Sequence, residues 1–288
     1  MQKIIKLVDE KRGIMQCTFY DERWYARPSQ NEVSGMPEYK FVPSVTWIAG
    51  HYPKGIGFYK WLADKGWDEA EAIKSAAGDK GSKVHLAISA ILAGEEVRVD
   101  SKFINPSSGQ SEELTPEEVE CIKSFIDWRD AVKPESIAWD VVVYSDKEGY
   151  AGSIDYICRI EGQLYIIDFK TSQSIWREME MQISAYRHTV ENGENPIFQN
   201  NKQLDVAGIK TAILQIGYRR NKDFYKFTEV EDAYPLFLNA KAIWARETAG
   251  QAPRKRDFPI VLSKAVKKLP ITKKNEVSKV SEGEKVKK

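Results

Sequence analysis

Between Tyr150 and Lys170 the sequence holds two runs that are apolar on both alternating faces, separated by Glu161-Gly162. In the first, Ile154, Tyr156, Cys158 and Ile160 alternate with Ile157; in the second, Tyr165, Ile167 and Phe169 alternate with Leu164 and Ile166. A strand apolar on both sides belongs in a sheet covered by helices on both faces. With Glu161-Gly162 at the centre of an even-length hairpin loop, Ile160 faces Gln163, and the same register puts Asp155 directly across from Asp168. Their Cβ atoms are then expected about 4.5–5.5 Å apart, where two carboxylates repel unless a cation or a proton lies between them. Lys170 projects from the same face as Asp168. Two carboxylates and an ammonium within a buried sheet suit a hard divalent cation such as Mg2+, which leaves coordination positions for water and phosphate oxygens. The plainer reading is a salt-bridge cluster in which Lys170 pairs both acids.

The chain has 288 residues, enough for one large domain or two modest ones at roughly 100–200 residues each. Its 8 Trp, 13 Tyr and 42% apolar residues exclude general disorder. A formal net charge of +1 names no polyanionic partner, but residues 264–288 concentrate nine Lys against three Glu, leaving a mildly acidic body and a basic tail. Cys17, Cys121 and Cys158 are too far apart for a disulfide framework or a metal knuckle, which favours a reducing compartment. No apolar run is long enough to cross a bilayer. The start carries acidic residues and no secretory h-region, so the expected location is cytoplasmic.

Upstream, residues 3–26 read as short strands in an N-terminal β-hairpin appendage, followed by a Pro- and Gly-rich loop. From Pro43 to about Gly94 the pattern is helical, with possible breaks at Gly78 and Gly81. Thr115-Pro-Glu-Glu118 is a capping box opening a helix to about Val132. Val141 to Tyr144 reads as a strand, 174–191 as a helix capped by Ser174, 210–217 and 224–230 as strands, and 233–248 as a helix.

Three segments of this frame, Gly152-Ser-Ile-Asp155, Ile166-Ile-Asp168-Phe-Lys170-Thr-Ser172 and Gln182-Ile-Ser-Ala-Tyr186, resemble the RecB-type branch of the PD-(D/E)XK nucleases. Pro43-Ser-Val-Thr46 and Gly81-Ser-Lys-Val-His85 resemble its leading motifs, so the likeness runs in order over roughly half the chain. That branch includes mitochondrial genome maintenance exonucleases, helicase-linked nuclease domains and phage exonucleases. The resemblance implies an α/β fold with a PD-(D/E)XK restriction-endonuclease-like core, a mixed central sheet flanked by helices, spanning residues 41–262 between the appendage at 1–40 and the Lys-rich tail at 263–288. It also implies a Mg2+- or Mn2+-dependent deoxyribonuclease, more an exonuclease than an endonuclease, in recombination, repair, replication or phage DNA processing.

Carried over residue by residue, the resemblance makes Asp155, Asp168, His85 and the Phe169 carbonyl metal ligands and gives Lys170 the orientation of the attacking water. His85 otherwise reads as an ordinary half-buried helix residue. Gln182 and Tyr186, one helical turn apart, would touch nucleic acid or the groups around the metal; alone they read as a polar helix face with Tyr186 partly inward. Thr171 and Ser172 would bind phosphate oxygens or begin the turn into the next helix. Three cysteines cannot supply the four ligands of an iron–sulfur cluster, so none is expected within one chain. Tyr218-Arg219-Arg220-Asn-Lys222 with Phe224, Tyr225 and Lys226 mixes cations with aromatics, as in a surface that tracks a nucleic-acid backbone, or forms an exposed hairpin tip. Trp47, Tyr52, Phe58, Tyr59 and Trp61 read as core or as an aromatic platform for single-stranded ends. The expected partner is DNA, single-stranded or as duplex ends. The tail reads as a DNA-attracting segment, a solubilising one, or a docking segment for a recombination or replication protein. A non-cleaving DNA-binding or assembly module on the same fold is the rival reading, and a paired-carboxylate glycosidase is a more distant one.

Overall fold

A computed structural model describes residues 3–19, 22–30, 35 and 37–249. The chain opens with β1 (Lys3–Asp9), β2 (Ile14–Phe19), β3 (Glu22–Gln30) and β4 (Pro37–Pro43), an antiparallel meander in that spatial order. Helices α1 (Val45–Ala49), α2 (Ile56–Lys65) and α3 (Trp67–Leu92) follow, then a ribbon of β5 (Lys102–Ile104) and β6 (Ser111–Glu113), and α4 (Pro116–Val132). The expected capping box is present at α4: Thr115 Oγ1 accepts the Glu118 N–H, and Glu118 Oε2 accepts the Thr115 N–H. Next come β7 (Glu135–Ser145), β8 (Tyr150–Ile160), β9 (Gln163–Lys170), α5 (Arg177–Glu191), a ribbon of β10 (Phe198–Gln199) and β11 (Lys202–Gln203), β12 (Lys210–Ile216), β13 (Tyr225–Glu229) and α6 (Tyr234–Glu247).

The central sheet has the order β13-β12-β9-β8-β7 and is mixed: β12 runs parallel to β9, and its other neighbours are antiparallel. The parallel pair needs a crossover, which α5 supplies. Glu161 and Gly162 both take positive φ, 48° and 85°, as a two-residue hairpin loop requires. The double apolar character of β8 and β9 is answered by helices on both faces. Ile157 and Ile166 pack with α1, α5 and α6 residues such as Ile48, Ile183 and Phe237. Tyr156, Ile167 and Phe169 pack with Val84, Ile88 and Phe125 of α3 and α4.

Several expectations need correction. Helix α3 runs through Gly78 and Gly81 unbroken, because buried Val84, Ala87 and Ile88 hold that face against the core. Helix α5 begins at Arg177 instead of Ser174, since the Ser172 hydroxyl donates to the Ser174 carbonyl and ties up the preceding turn. The aromatic group divides: Trp47 packs inward, whereas Phe58 and Tyr59 on α2 are exposed. The Lys-rich tail at 263–288 lies outside the described residues. No described helix is long and apolar enough to cross a membrane. Cys17, Cys121 and Cys158 are free and buried, and burial pushes their thiols up to about 11, 11 and 12.

Where a hairpin was expected, the first four strands form a sheet docked on the core. Ile14, Tyr25 and Val42 pack on Val142, Tyr144 and Ala151, and the Ser44 N–H donates to the Arg23 carbonyl at 2.8 Å while Ser44 bridges to Ala151. Trp24 of β3 meets Trp47 of α1 and Trp244 of α6 edge-on, with centroids 5.0 and 6.0 Å away. Trp24 is 2% exposed, so Trp24→Ala is expected to cost about 3–5 kcal/mol in denaturant unfolding. A loss under about 1 kcal/mol would mean that this sheet is not integral to the fold.

Candidate active site

Strands β8 and β9 pair from Ile160–Gln163 as far as Tyr156–Ile167, in the expected register, and the ladder ends there. Asp155 and Asp168 occupy the next position, so they face one another without forming a backbone rung. The N–H of Phe169 would be left without a partner where the strands part, and Asp155 Oδ2 accepts it at 2.8 Å. The alternation of β8 slips at the same place: Tyr156 and Cys158 face α3 and α4, yet Ile154 packs on the α5 side with Ile157. Opposite Asp155 on β7 stands Asp140, a non-glycine residue at φ 51°. Asp140 is exposed there.

His85, on α3, reaches this gap. Its Nε2 lies 2.9 Å from the Phe169 carbonyl oxygen, to which it donates, and its Nδ1 lies 3.5 Å from Asp155 Oδ1. Burial disfavours the imidazolium, but the Asp155 carboxylate outweighs it and raises the His85 pKa. Burial likewise works against Asp155, and His85, Lys170 and the Phe169 N–H together hold its pKa below the usual value.

Asp168 is 2% exposed. Its Oδ2 lies 2.6 Å from Lys170 Nζ, a close ion contact whose angle does not make a directed hydrogen bond. Burial lifts Asp168 to about 6 against the pull of Lys170, with the Asp155 charge adding to the rise. The Lys170 pKa is raised even though burial opposes it, because both carboxylates favour the ammonium. Gln182 of α5 ties these groups together: its Nε2 donates to Asp168 Oδ1 at 3.1 Å and to the Tyr186 hydroxyl at 3.2 Å, and its Oε1 accepts from Lys170 Nζ at 3.3 Å.

Tyr186 is buried and lies across the backbone of Gly152, where a Cβ would sit 2.3 Å from its Cε1. Only a residue without a side chain lets Tyr186 lie there and hold Gln182. Gly152, Tyr186 and Gln182 are thus linked by one packing contact and one hydrogen bond. Tyr186 is a buried strut that also lines the cavity, its hydroxyl accepting from Gln182.

The group lines a cavity of about 690 Å3. Thr171 and Gly81 border it together, and a Cβ on Gly81 would lie 3.8 Å from Thr171 Oγ1. Ser172 borders it too, with its hydroxyl engaged in the turn before α5. Arg219 is at the rim, but Glu117 and Glu120 each hold it at 3.2 Å, so its charge is already met. Arg220 is exposed and outside the lining.

No family model and no curated protein matches the chain. The donor set itself therefore bears the question of a metal. Two carboxylates, a backbone carbonyl and room for solvent fit a hard divalent ion, and Asp168 Oδ2 carries no directed hydrogen bond. Among the described residues no three His, Cys, Asp or Glu side chains alone form a metal-sized cluster. His85 currently bonds the carbonyl it would share with an ion.

Two contributions escaped the sequence reading. Asp140 interrupts the apolar stretch Ala138-Trp-Asp-Val-Val143, a legible signal. Gln16, Arg23 and Tyr25 of the first sheet also line the cavity, with no local signal to place them there. Gly152→Ala is expected to displace Tyr186 and cost about 1–3 kcal/mol in thermal or denaturant unfolding, with Ser153→Ala near neutral. Equal stability of the two variants would refute the strut.

Proposed function

We propose that the protein is a Mg2+- or Mn2+-dependent deoxyribonuclease of the RecB-type PD-(D/E)XK kind, acting from DNA ends in recombination, repair, replication or phage DNA processing. The observation that carries this reading is the clamp in which Gln182 joins Asp168 to Lys170, beside Asp155 at the parting of β8 and β9. The mixed sheet with helices on both faces is consistent with a PD-(D/E)XK core. A salt-bridge cluster alone gives no reason for a half-buried glutamine to orient both members of the pair.

Asp155, Asp168 and the Phe169 carbonyl would hold the ion, with His85 as a further donor once it gives up its bond to that carbonyl. When bound, the ion would neutralise the phosphodiester, acidify a water and stabilise the departing oxygen. Lys170 hydrogen-bonds the attacking water and adds positive charge where the transition state gains negative charge. Gln182 keeps Lys170 and Asp168 in register, and Tyr186 keeps Gln182 in place. The cavity, about 690 Å3, is on the scale of small-molecule sites.

The test is degradation of end-labelled single- and double-stranded DNA with Mg2+ or Mn2+. Asp168→Ala and Lys170→Ala are expected to retain below about 1% of the wild-type rate, and Gln182→Ala to lose about 10–100-fold. Because Asp168 must be ionised to hold the ion and burial lifts it to about 6, the Mg2+ needed for half-maximal rate rises as pH falls through that value. Equal degradation by wild type and both alanine variants would overturn the assignment.

A further inference from the structure

The cavity has two walls of unlike electrostatic character. On the wall made by α3, α4 and the loop after β12, Lys80 lies 3.6 Å from Glu117, and Arg219 is held at 3.2 Å by both Glu117 and Glu120. At the floor, Lys170 is held by Asp168 and His85 lies against Asp155. The facing wall is the N-terminal sheet, where β2 contributes Gln16 and β3 contributes Arg23 and Tyr25. Tyr25 is 3% exposed, and its hydroxyl accepts from Gln16 Nε2 at 2.9 Å. Burial raises the pKa of that hydroxyl, against the opposing charge of Arg23 nearby.

Arg23 is exposed, and among the described residues it has no carboxylate partner, alone among the cations lining the cavity. A guanidinium offers a planar fork of donors that matches a phosphate, and an unpaired one need break no ion pair to bind it. The opposite wall would have to give up its glutamates first.

We infer that Arg23, on the Gln16–Tyr25 platform, is an anchor for a backbone phosphate of a nucleic-acid single strand lying in the cavity. The inference rests on the nuclease reading for its substrate class. It makes the N-terminal sheet a wall of the binding site, so a strand is held between that sheet and the carboxylates of the central one. Arg23 would position the strand without touching the reacting atoms.

The experiment is fluorescence anisotropy of a labelled single-stranded oligonucleotide with the full chain in EDTA, where nothing is cut, over a range of salt. The variants are Arg23→Gln, Arg23→Lys and, as a control for general charge, Arg98→Gln, whose arginine is paired with Asp100 away from the cavity. Expected are roughly tenfold weaker binding for Arg23→Gln, a fall of about 0.7 in its logarithmic salt slope, intermediate binding for Arg23→Lys, and no change for Arg98→Gln. Thermal melts that match wild type exclude unfolding as the cause, and Arg23→Lys keeps the test open if Arg23→Gln does not fold. Wild-type affinity in both Arg23 variants, equal weakening in Arg23→Gln and Arg98→Gln, or no oligonucleotide binding by the wild type would each overturn the anchor. Arg23-dependent binding in a protein that fails to cut DNA with Mg2+ or Mn2+ would overturn the nuclease reading and leave the anchor standing.

Discussion

When two neighbouring strands stop pairing inside a protein, the backbone groups they release must find other partners or destabilise the fold. At the parting of β8 and β9, the Asp155 carboxylate takes the N–H of Phe169, and the rest of the site follows from that bond. It anchors Asp155 in the gap beside Asp168. It also leaves the Phe169 carbonyl facing His85, so two carboxylates and a carbonyl open on the same space. On the far side of β8, Asp140 takes a left-handed backbone conformation at the opposing position.

Charge balance in that space is local and close. Asp155 is set against His85, and Asp168 against Lys170. Asp168 lies almost wholly away from water, and burial raises its pKa to about 6. Two carboxylates in one low-dielectric pocket stay ionised only while cationic charge stays near. Lys170 supplies it beside Asp168, and His85 lies against Asp155. A divalent ion at the same oxygens would add to that positive charge.

The centre of this arrangement was legible in the sequence because its signals are local. Doubly apolar runs announce a covered sheet, Glu161-Gly162 sets the register, and the register brings Asp155 to Asp168. Other features depend on contacts between distant segments. Gly152 matters because Tyr186, far along the chain, lies across it. Arg219 reads as a free cation until α4 brings Glu117 and Glu120 to it. The first strands read as an appendage because only their docking on Val142, Tyr144 and Ala151 turns them into a wall of the cavity. Gly78 and Gly81 read as breaks because propensity alone favours them as such, whereas tertiary burial of α3 keeps the helix whole.

The most direct measurement is an anomalous-difference map from crystals of the wild-type protein soaked in Mn2+. A single strong peak within bonding distance of Asp155, Asp168 and the Phe169 carbonyl oxygen, absent from Asp168→Asn crystals grown alike, is the predicted result. A map without density between those oxygens, with Mn2+ on surface carboxylates alone, would contradict the account at its centre.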